Sequence, residues 1–136
     1  RTARTLLTPD HVFSTGIGGQ YFRWSPDGRW LLFDYSIPGL APGEVGLVKA
    51  DGSGEVVNLT TSGFQDARAQ WALGGQAMIW LSNRDGLKGV AQAGGSQMDV
   101  YAMFFTQDAW APSGRHEDPK LWFLVYTVPT SELADL

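Results

Sequence analysis

The chain has 136 residues, 43% of them hydrophobic, with six tryptophans, seventeen glycines and seven prolines: one domain's worth of core, broken by many turns. A formal net charge of −4 without any Lys/Arg cluster argues against a nucleic-acid surface. With no cysteine there is no disulfide framework or thiolate metal site, and no apolar run approaches the ~20 residues a membrane-spanning helix needs.

The first residue is Arg1 rather than methionine, and no signal peptide precedes it, so an internal fragment or a mature product whose start is lost is expected. Arg4 to Thr8 is a short β-prone run closed by Pro9 and Asp10, and His11 to Gln20 is a glycine-spotted loop. Ser25-Pro-Asp-Gly28 then supplies turn chemistry between strands at about Tyr21–Trp24 and Arg29–Tyr35. Proline presets φ, aspartate bonds back to its own backbone, and glycine accepts the positive φ that ends the turn. After the turn, Trp30-Leu-Leu-Phe33 is apolar without a break, as in a strand buried on both faces. Glu44–Lys49 and Glu55–Thr60 are further strands, joined by the tight turn at Asp51–Gly54. Four strands on short connections make an antiparallel meander.

The pattern then starts again. Leu59-Thr60 repeats Leu7-Thr8, Gln70-Trp71 falls where Arg23-Trp24 fell, and Gly74-Gly75 takes the place of Asp27-Gly28. Ala77–Leu81 matches Trp30–Phe33, and Asp99–Met103 matches Glu44–Val48. Trp24 and Trp71 stand about 47 residues apart, the spacing of four-stranded propeller blades. The fold expected is all-β: a β-propeller segment of about two four-stranded antiparallel blades, an incomplete ring. A β-sandwich with accidental similarity is the competing architecture. Residues 1–19 are assigned to the end of a preceding blade and its connecting loop, 20–60 to the first blade and 61–110 to the second. In the tail, 111–136, Leu121–Val128 is strand-like and either completes the second blade or begins something else. Two blades cannot close a ring. Their exposed faces and edges lead to the expectation of a sticky or self-associating chain, a homo-oligomer included.

Chemistry-bearing motifs are scarce. The two histidines, His11 and His116, both fall in loops, and no Gly-x-Ser-x-Gly elbow exists. Ser25 precedes a proline and reads as turn chemistry, so no catalytic residue is assigned. Gly16–Tyr21 lacks the last glycine of a dinucleotide fingerprint and precedes a strand, so no cofactor is expected. Asp51–Glu55 offers oxygen ligands at alternating positions that would suit a weak calcium site, but a hairpin turn is the preferred explanation and no metal is assigned. Asn58-Leu-Thr60 is a glycosylation sequon by pattern only, at a strand end. Asn83-Arg-Asp-Gly86 is a charged group at a strand exit, where binding residues often sit. Arg84 and Asp85 are therefore the candidate contacts for a peptide or partner, the competing explanation being an Arg–Asp pair that braces a loop.

Trp24-Ser-Pro-Asp-Gly28 followed by Trp30-Leu-Leu-Phe33 is similar to the repeat of TolB-like and tricorn-type propellers. Leu59 through Gly86 and Gly95 through Gln107 resemble the tricorn-protease-like serine peptidases of bacteria, within the tail-specific peptidase superfamily. The resemblance covers roughly Tyr21 to Trp110. Two departures stand out: Pro112 through Val128 is unlike the polar continuation the family would supply, and the second hairpin lacks Ser-Pro-Asp-Gly. In that family the propellers precede a PDZ domain and a peptidase domain, so the resemblance implies substrate access and scaffolding, with catalysis outside this chain. Peptides or unfolded polypeptide would be the clients, with the parent's PDZ and peptidase domains as further partners. It implies the periplasm or envelope of a bacterium, with the cytoplasm as the alternative. A non-enzymatic TolB-like propeller binding an envelope protein is the second reading, and a prolyl-oligopeptidase-type propeller a third.

Overall fold

In the computed structural model, the described residues are 3–12, 20–36, 43–86, 97–110 and 126–127. They are almost entirely β. The first sheet is a meander of β1 (Phe22–Trp24), β2 (Trp30–Tyr35), β3 (Glu44–Lys49) and β4 (Val57–Asn58), each antiparallel to the next. The second has three full strands, β5 (Asp66–Ala72), β6 (Ala77–Ser82) and β7 (Asp99–Phe104), with two residues, β8 (Tyr126–Thr127), paired to β7. Neither sheet closes on itself. The one helix among the described residues is a single turn, α1 (Gln107–Trp110), started by the Thr106 hydroxyl accepting from the Ala109 N–H at 3.1 Å.

Several strand expectations shift. The Arg4–Thr8 run is in no strand; Leu6 and Leu7 instead lay their side chains on the first sheet. The fourth strand shrinks to Val57–Asn58, because Glu55 and Val56 leave the ladder. The fifth begins at Asp66, earlier than the Gln70 anchor of the repeat. Within Leu121–Val128 only Tyr126 and Thr127 are described, and they pair with the second sheet. His116, the Gly16–Gly19 stretch and most of the tail lie outside the described residues.

The two sheets obey one register. Trp24 pairs with Leu31 and Trp71 with Met78, so the sequence repeat is also a pairing repeat. Across the next ladder, Leu31, Leu32 and Phe33 face Val48, Leu47 and Gly46, while Met78, Ile79 and Trp80 face Met103, Ala102 and Tyr101. Strand side chains alternate between faces. Leu32, Val45 and Leu47 therefore turn toward the second sheet and meet Ala69, Met78, Trp80, Tyr101 and Met103 in the central core. Leu31, Phe33 and Val48 turn the other way and pack with Leu6, Leu7 and Val12. Their register equivalents, Met78, Trp80 and Met103, point at the first sheet. The sheets are thus stacked front to back, each using opposite faces for its neighbours on either side. Leu59 enters the central core just as Leu7 enters the front cluster, so the Leu-Thr repeat marks equivalent packing positions.

Trp80, Leu32, Met78 and Val45 are completely or almost completely buried between the sheets, and each such side chain contributes about 1.5–3 kcal/mol of apolar burial. On the opposite face of the first sheet the Phe33 ring lies over Gly46, filling the space a side chain would need. Because Phe33 is itself buried against Leu31 and Val48, it has nowhere to retreat. Gly46→Ala should cost about 1–3 kcal/mol in urea denaturation by overpacking. A Gly46→Ala chain as stable as the parent would show that the ring can move.

Candidate functional site

The opening hairpin turn is a closed set of hydrogen bonds. The Gly28 N–H donates to the Ser25 carbonyl and the Ser25 N–H to the Trp30 carbonyl, both at 2.9 Å, with Gly28 at φ +69°. The Ser25 hydroxyl donates to Asp27 Oδ1 at 2.6 Å and accepts from the Trp30 N–H at 2.9 Å. Asp27 also accepts from the Arg29 N–H at 3.0 Å and from Arg29 Nε at 2.7 Å. The Ser25 hydroxyl, then the Arg29 amide and guanidinium, hold the Asp27 carboxyl well below its usual range, at about 2. Ser25 is a buried turn brace, not a nucleophile beside a base. His11 Nδ1 lies 3.0 Å from the Thr8 hydroxyl three residues away, a local contact at the Pro9–Asp10 turn.

The corresponding turn of the second sheet, Leu73–Gly75, is a tight turn closed by the Gln76 N–H donating to the Leu73 carbonyl at 3.1 Å, and Leu73, Gly74 and Gly75 all have positive φ (50°, 63° and 96°). It approaches Pro26 of the first turn: a Cβ on Gly75 would stand 3.4 Å from the proline ring. Between the two turns opens a cleft of about 400 Å³, lined by the aromatic rings of Trp30, Trp71 and Phe105 with Leu47, and bordered by Asp27, Arg29 and Gln76. Trp71 and Phe105 are tilted at 52° with centroids 5.7 Å apart.

The sequence candidates Arg84 and Asp85 sit at the far end of β6, and the structure does not pair them with each other. Arg84 turns inward: its Nη2 lies 3.3–3.4 Å from both oxygens of Asp66, its Nε donates to Ser82 Oγ at 3.1 Å, and its guanidinium lies 4.7 Å from the Tyr101 ring centre. Asp85 accepts the Tyr101 hydroxyl at 2.5 Å. The expected brace exists, but between Arg84 and Asp66. Adjacent residues on an extended chain point to opposite sides, so Arg84 and Asp85 reach different partners.

Asp66, which sequence reasoning did not single out, is completely buried. It accepts from Ser62 Oγ at 2.5 Å and from the Trp80 indole at 3.1 Å, in addition to Arg84. Its own N–H donates to the Gly43 carbonyl at 2.9 Å, tying the second sheet to the segment before β3. Beside it Glu44 receives the Thr60 hydroxyl and the N–H groups of Ser62 and Gly63, at 3.0 and 2.8 Å from Oε1. Both carboxylates are thereby committed to the chain's passage from β4 to β5. Asp51 is likewise committed: its Oδ1 accepts the Ser53 N–H at 2.8 Å and the Ser53 hydroxyl at 2.7 Å, the two bonds that lower its pKa. Among the described residues no group of three metal-ligating side chains converges.

Two measurements test these assignments. Arg84→Ala strands a fully buried carboxylate and should cost about 3–5 kcal/mol, whereas Asp85→Ala removes one hydrogen bond and should cost ~1 kcal/mol. Equal effects in chemical denaturation would overturn the inward role of Arg84. For Asp27 the folded pKa lies below the ordinary 3.8, so the unfolded chain binds more protons and stability is lost as pH falls from about 4 to about 2. The stability difference between wild type and Asp27→Asn should therefore shrink across that window; a constant difference would show that the turn does not hold the carboxylate. No family model, curated protein or solved structure matches this chain.

Proposed function

We propose that this chain is the propeller part of a tricorn-like serine peptidase, giving substrates access to a catalytic domain outside it and acting as a scaffold for that domain. One observation carries the reading: consecutive antiparallel meanders of matching register, stacked front to back, on the residues that resemble tricorn-type repeats. Stacking of this kind is what blades of a propeller require. Unfolded polypeptide is the client class, with the aromatic cleft between the hairpin turns as the apolar contact surface.

Fluorescein-labelled casein titrated with the purified chain tests both halves of the proposal. Saturable binding without release of fluorescent fragments is expected. Hydrolysis that scales with the amount of chain would overturn the placement of catalysis elsewhere, and absence of binding would overturn the choice of client.

A further inference from the structure

The first strands of the two sheets carry a feature that neither packing nor turn chemistry explains. At Arg68, within β5, the ladder with β6 slips between Ala67 and Gln70, and the bulged arginine adopts φ +60°. An arginine has no intrinsic preference for this left-handed region, and such a residue costs on the order of 1 kcal/mol unless its surroundings hold it there. What holds it is the first sheet: the Arg68 N–H donates to Asp34 Oδ1 at 2.9 Å. Bulges re-aim side chains, and this one swings the exposed Arg68 guanidinium to 5.1 Å from the centre of the Tyr21 ring. The same ring already carries the guanidinium of Arg23, 4.3 Å away, on the exposed strand β1. The Tyr21 hydroxyl is buried, and the Trp71 indole donates to the Arg23 carbonyl at 3.1 Å, which ties β5 to β1 beside the ring.

Two guanidiniums on one aromatic ring repel each other. Among the described residues neither forms an ion pair with a carboxylate side chain. The Asp34 carboxylate accepts the Arg68 N–H and feels the Arg68 charge, both of which oppose the upward push of burial on its pKa, but it forms no ion pair with the guanidinium. Two forked, fully ionised donors on the same ring suit a carboxylate, which takes strong, often bidentate charge-assisted bonds from guanidinium. The geometry points to a binding site for a carboxylate carried by a peptide, formed by Arg23 and Arg68 over Tyr21 across the junction of the two sheets. This inference rests on the peptide-client reading above and specifies which peptides are preferred. It also runs against the general field of the molecule, since a chain of net charge −4 repels acidic ligands unless a local site captures them.

The test is an equilibrium titration of the intact chain at constant ionic strength, followed by tryptophan fluorescence, with Trp71 bonded to Arg23 as the reporter. The probes are a blocked alanine pentapeptide with a central aspartate, its asparagine counterpart, and an acetylated alanine pentapeptide ending in a free carboxylate. The aspartate or the free-carboxylate peptide should bind at least about tenfold tighter than the asparagine peptide, and which of them does so identifies side chain or terminus as the source. Arg68→Gly is the decisive variant: glycine suits φ +60°, so the midpoint of thermal unfolding should hold or rise while the carboxylate preference disappears. Arg23→Gln should also abolish the preference, and Lys49→Gln, a cation on another strand, should leave it intact. Equal affinity for all three peptides, or a preference that survives Arg68→Gly, overturns the site. If casein still binds while the peptides are not distinguished, this inference fails and the client reading stands; if casein fails to bind, the client reading fails first.

Discussion

The completely buried Asp66 carboxylate is the constraint on which the rest of the arrangement depends. A carboxylate removed from water is tolerated only with a counter-charge and with its lone pairs filled. Arg84, Ser62 and the Trp80 indole provide these, and each comes from a different part of the second repeat. Meeting that requirement fixes the passage from β4 to β5, the rotamer of the largest core side chain and the exit of β6. The backbone N–H of Asp66 then reaches Gly43, so one residue also ties the second sheet to the segment before β3.

Around that point the contacts between sheets are few and specific. Apolar burial of Leu32, Val45, Met78 and Trp80 supplies the bulk of the attraction but has no direction. Direction comes from polar bonds spread along the junction: Asp34 to the Arg68 amide, the Trp71 indole to the Arg23 carbonyl, and Asp66 to Gly43. Strain enters at the same place. The left-handed Arg68 is held by one of these bonds, so the conformation of β5 is set by its neighbour sheet and not by its own sequence.

Much of the architecture could be read from the residues because it is local. Pro26, Asp27 and Gly28 each have the conformational preference their turn position requires, and the unbroken Trp30–Phe33 and Ala77–Leu81 runs announce strands covered on both sides. The Leu-Thr and Arg/Gln-Trp repeats survive into space because they occupy equivalent register positions. What escaped reading is non-local. Nothing in Asp66-Ala-Arg-Ala-Gln-Trp71 predicts a bulge, since its cause is Asp34 on another sheet. Arg84 stands out by its charge and its place at a strand exit, but its partner does not, because the nearest acid in sequence, Asp85, belongs to Tyr101. Leu6 and Leu7 have strand-like composition but no strand beside them to pair with, so they contribute side chains only.

Front-to-back stacking carries a consequence for symmetry. The contact joins two different surfaces, the Leu32–Val45–Leu47 face of one sheet and the Met78–Trp80–Met103 face of the next. Such a contact is heterologous, and a two-fold axis cannot reproduce it, because an isologous dimer sets each surface against its own copy. Any assembly that reuses this contact between separate molecules therefore grows by rotation and ends only when the rotation closes a ring; where it does not close, growth is helical and open-ended.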